Sequence, residues 1–185
     1  MTYFLRSRID HNIVTGNTPD WGPGHPYDPE EGEKYLEIAH AWQDGSRILL
    51  PSEMPRLLIP DRSRKNWPDA FMSVNQLLIV REPVRDILER LDPGLHQFFP
   101  INFATKRGAD IQGPWFILVV MADQDSIVME MSSVWKNPNF PDTLCSAYSS
   151  KAGDLFVDPN RQSGVHLWRE KRFKMHLSGS DRIVA

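Results

Sequence analysis

The strongest limit on what this chain can become is set by seven consecutive apolar residues, Trp115-Phe-Ile-Leu-Val-Val-Met121. The run is far too short to span a membrane and too continuous for a strand with one wet face, so it reads as a central β-strand buried on both sides. Such a strand needs a partner on each edge and cover on each face. The flanking sequence must supply both.

It does so on the N-terminal side. Residues 97–103 alternate, with Phe99, Ile101 and Phe103 on one side, and the Gly-containing segment Lys106-Arg-Gly-Ala-Asp110 turns that strand back toward the central one. Phe71–Val74 and Leu77–Val80 read as a tight hairpin with Asn75 near its turn. Cover comes from a helix beginning at Pro83, where the missing N–H costs nothing, with Val84, Ile87, Leu88 and Leu91 at i, i+3, i+4, i+7. Asp92-Pro93-Gly94 ends it. Its apolar face is expected to lie on the sheet.

Elsewhere the signals are shorter. Strands are expected at 2–9, 126–131, 154–157, 165–169 and 173–177, the last two joined by a turn at Glu170-Lys-Arg172. The proline-bounded segments 47–51 and 56–60 suit edge strands or extended connections. Residues 33–42 place Tyr35, Ile38, Ala39 and Trp42 at helical spacing, and 15–32 is so rich in Gly, Pro, Asp and Asn that an irregular loop is expected. Ser180-Asp181 reads as a helix N-cap. Only five residues follow Ser180, against the ~12 to 15 that an isolated helix needs, so a shortened C-terminal helix is expected from residue 180. Together these elements predict an α+β fold: a mainly antiparallel sheet with hairpins, packed against one or two amphipathic helices, in a single domain over 1–185.

Composition narrows the function class. Fifteen prolines and eleven glycines argue against a helical bundle, and a formal charge of -3 favours neither nucleic acid nor an anionic membrane as partner. Cys145 is the sole cysteine, so the sequence holds no disulfide framework and no thiolate cluster. The N-terminal apolar run is broken by Arg6 and lacks the core of a signal peptide. A cytoplasmic protein is expected.

Chemistry-bearing motifs are sparse. None of His11, His25, His40, His96, His166 and His176 stands at metal-ligand spacing from another, and neither a G-x-S-x-G elbow nor a phosphate-binding Gly loop is present. No cofactor and no metal are expected. The best catalytic constellation is His96, Asp154 and His166, with Asp158 nearby, which could serve as general acid and base in a small hydrolase or transferase. Against it, Asp158-Pro159-Asn160 is ordinary turn chemistry, and His96 and Gln97 at a strand entrance suit backbone satisfaction. The basic group Arg169, Lys171, Arg172 and Lys174 beside Trp168 and Phe173 would be the seat of RNA binding, a weaker reading. The acidic stretch Asp28, Glu30, Glu31, Glu33 and Glu37, with Trp21 and Tyr27, offers charge and aromatic anchors for a protein contact. Trp67 is a further loop aromatic of that kind.

Between residues 77 and 168 the order of features forms a pattern: "LLIVREPVRDILERLDPGLHQFFPINF", then "GPWFILVV", then "GDLFVDPNR" leading to "GVHLWRE". This order resembles the immunity proteins of bacterial polymorphic-toxin systems of the type first described from a myxobacterial locus. In that group an amphipathic helix of the "ERLRDLLE" kind runs into a "PGVHQFFPV" segment; Leu95 stands where valine is commoner. The resemblance implies a cytoplasmic, cofactor-free protein that binds and silences a cognate toxin domain. A second copy of the chain is the other association to be weighed.

Overall fold

In the computed structural model the central strand takes the place its composition demands. The structure describes residues 4–5, 16–17, 37–42, 45–60, 66–73, 77–128, 130–132, 136–137, 140–144, 156–161, 164–170 and 183–184. The strands are β1 (Phe4–Leu5), β2 (Gly16–Asn17), β3 (Leu57–Pro60), β4 (Ala70–Met72), β5 (Leu78–Arg81), β6 (Gln97–Phe103), β7 (Trp115–Val119), β8 (Asp123–Gln124), β9 (Lys136–Asn137), β10 (Phe140–Leu144), β11 (Trp168–Glu170) and β12 (Ile183–Val184). Residues 37–42 belong to helix α1, and Glu82–Leu91 form α2. The contacts divide the chain into two compact units, Arg8–Met121 and Met1–Ser7 with Ala122–Ala185.

The unit of residues 8–121 carries a six-stranded sheet in the order β2-β3-β6-β7-β5-β4. β7 lies inside it, antiparallel to both β6 and β5; β4 pairs antiparallel with β5, and only β3 runs parallel to its neighbour β6. The mainly antiparallel α+β architecture is therefore the one expected. Register places Phe71 opposite Ile79, Ile79 opposite Ile117, and Ile117 opposite Phe99. Four apolar side chains thus form one row across four strands. They join Trp115, Phe103, Leu58 and, from α1, Ile38, Ala39, Ala41 and Trp42 in a single core cluster. Edge-to-face packing of Phe103 on Trp115 (centroids 5.2 Å apart) adds to the area term.

The opposite face is covered more thinly. Val80 and Leu118 are buried there, and α2, which follows β5 without a linker, lies against β5 and β7. Yet none of its residues is fully buried. Val84 and Leu88 are half-buried, whereas Ile87 is 47% and Leu91 41% exposed. The expectation that the whole apolar stripe lies on the sheet is corrected. The guanidinium of Arg85 stacks 4.4 Å from the Phe116 ring and takes part of the sheet surface that the stripe would have covered.

The second unit holds a four-stranded sheet, β1-β12-β11-β8, in which β11 and β8 are parallel, and a β9–β10 pair. Several expectations change here. Ile183 and Val184 pair with β1 on one side and β11 on the other, so the helix expected from residue 180 is replaced by a strand at these positions. Ile and Val are residue types that favour extended backbone, and pairing on both sides outweighs the cap read at Ser180-Asp181. The strand expected over 126–131 is reduced to a bridge between Ile127 and Val157, because Met131 N–H turns back to Val128 O and the Ser132 hydroxyl donates to the same carbonyl. Glu170, expected in a turn, closes β11. Gly16–Asn17 pair with β3, so the 15–32 segment begins with a strand; its other residues, and the expected strand at 173–177, lie outside the described part. Among the described residues no helix is long and apolar enough to cross a membrane.

The two faces predict different mutational costs. Ile117→Ala is expected to lower stability by about 2–5 kcal/mol in urea unfolding, and Ile87→Ala by less than about 1 kcal/mol. Equal losses would show that the α2 stripe is covered after all.

Candidate functional site

The segment that most resembles a site in the sequence is the junction from α2 into β6. Asp92 N–H closes the helix by donating to Leu88 O at 2.7 Å, and Leu95 N–H donates to Asp92 O at 3.2 Å. Gly94 sits at φ 66°, in the left-handed region that a side chain resists, and lets the chain reverse here. The reversal carries His96 inward. Its side chain is wholly buried, with Nε2 3.4 Å from Oδ2 of the almost equally buried Asp92.

The other imidazole nitrogen sets the chemistry. Met121 N–H donates to Nδ1 at 3.3 Å, so in the neutral ring the proton is on Nε2 and faces the Asp92 carboxylate. A histidine oriented by a carboxylate is the arrangement of a general base. Here, however, the ring's acceptor is occupied by the chain's own peptide, at the end of the central apolar run, and no side-chain surface is left for a substrate. The pair staples the helix end to the exit of β7.

Gln97 acts on the other side. Its Oε1 accepts from Leu49 N–H at 2.9 Å and its Nε2 donates to Leu49 O at 3.0 Å, so one primary amide matches both backbone polar groups of a residue 48 positions away in sequence. Leu49 is buried, and its neighbours Ile48 (72% exposed) and Leu50 (58%) point outward. Glu53 fixes the same loop: it chelates Arg47 with contacts of 2.7 and 2.9 Å and accepts Leu50 N–H at 2.7 Å. That carboxylate raises the Arg47 pKa above the ordinary guanidinium value, first through the direct hydrogen bond.

His166 is exposed and belongs to the other unit, and Asp154 lies outside the described residues. Asp158 accepts Asn160 N–H at 2.9 Å in the turn chemistry expected of it. Arg169, read as part of a basic RNA-binding group, and Trp168, read as an aromatic beside it, are both buried in β11, which corrects their reading as surface residues; Lys171, Arg172, Phe173 and Lys174 lie outside the described residues. Of the protein-contact candidates, Trp21, Tyr27, Asp28, Glu30, Glu31 and Glu33 are likewise outside. Glu37 is exposed at the start of the described part of α1, 3.9 Å from Arg47. Trp67 packs edge-on to Phe103 at 4.6 Å, so it belongs to the edge of the core.

Sequence reasoning missed one cluster. Glu170 is 2% exposed and accepts both Ser126 N–H (3.0 Å) and the Ser126 hydroxyl (2.6 Å), while Trp168 Nε1 donates to that hydroxyl at 3.4 Å. Nothing local marks a lone glutamate as buried; the alternation Trp168, Glu170 was the available signal. Among the described residues no group of three or more His, Cys, Asp or Glu side chains could hold a metal ion.

The chain is thus an α+β protein whose most site-like residues hold its own backbone in place, a build suited to presenting a surface. The model of the immunity protein family, Imm11, matches residues 9–185, nearly the whole length, and the chain belongs to that family. Its function is the neutralisation of a toxin. No curated protein gives a match.

The junction predicts a structural phenotype. Gln97→Leu leaves the buried Leu49 peptide without partners and is expected to lower stability by on the order of 2 kcal/mol or more, read as a shifted urea midpoint. A neutral effect would mean that the 46–53 loop is held by Glu53 alone.

Proposed function

We propose that the protein neutralises its cognate toxin domain by direct, stoichiometric binding in the cytoplasm, with no reaction and no cofactor of its own. The observation that carries this reading is the family match over residues 9–185. Two features support it. The His96–Asp92 pair, the most enzyme-like feature among the described residues, is enclosed and engaged with backbone. The lone cysteine and the mild charge fit a cytoplasmic binding protein better than a secreted or nucleic-acid-binding one.

Co-expression with the toxin encoded by the adjacent gene tests it. Cells carrying the chain should grow where cells with an empty vector do not, and the two purified proteins should co-elute in a fixed ratio. His166→Ala and Asp154→Asn should protect as well as the wild type, because neither side chain has chemistry to perform. Loss of protection in either variant, with folding intact, would restore the acid–base enzyme in place of the binder.

A further inference from the structure

We draw no further inference here: the strongest candidate, the exposed apolar stripe of Ile87 and Leu91 on α2, is an uncovered helix face among the described residues, and nothing in the structure shows what covers it.

Discussion

The row Phe71–Ile79–Ile117–Phe99 is the constraint on which the larger unit depends. Full burial of one such side chain is worth roughly 1.5–3 kcal/mol, so the four together approach the net stability of a typical domain. Register follows from the same row. A slip of one residue in any of the four strands would turn an aromatic or branched chain to the opposite face, so the pairing has one solution. Because α2 begins at the residue after β5, and β6 begins six residues after α2 ends, fixing the row also fixes the helix and the reversal beyond it.

Polar burial then acts locally. In the larger unit the His96–Asp92 pair and the Gln97 amide sit on opposite sides of one strand entrance, each answering a peptide group from a distant segment. In the other unit Glu170 gathers the backbone and hydroxyl of Ser126 beneath Trp168. Both arrangements place strong donors and acceptors where an error would leave an unsatisfied group in a dry interior. They favour one arrangement of the chain more than they add to its stability.

How much could be read from the residues depended on the length of the periodic signal. The β4–β5 hairpin, α2, β6 and β7 each had a run of alternating, helical or continuous apolar residues, and all four stand where those runs place them. Two- and three-residue strands such as Asp123–Gln124 carry no period at all and exist only because β11 lies beside them. The C-terminal Ile183–Val184 pair shows the opposite error: a good cap at Ser180 was outweighed by partners contributed from the other end of the chain. The burial of Glu170 and Arg169 was hidden for the same reason, since charge alone reads as surface. At the α2–β6 junction, residue chemistry did suffice. A histidine and an amide between a Pro-Gly reversal and an apolar strand are there to satisfy backbone groups, and the distances agree.

The clasp between Gln97 and Leu49 makes a side chain serve in place of a neighbouring strand. A loop gripped by the two polar groups of one buried residue keeps its path whatever is written on either side of that residue. Positions 48 and 50 can therefore change identity, from branched aliphatic to aromatic or polar, without disturbing the framework that carries them. A fold of this kind separates the residues that define its shape from the outward ones beside them, so the latter can drift by point substitution while stability stays where it was.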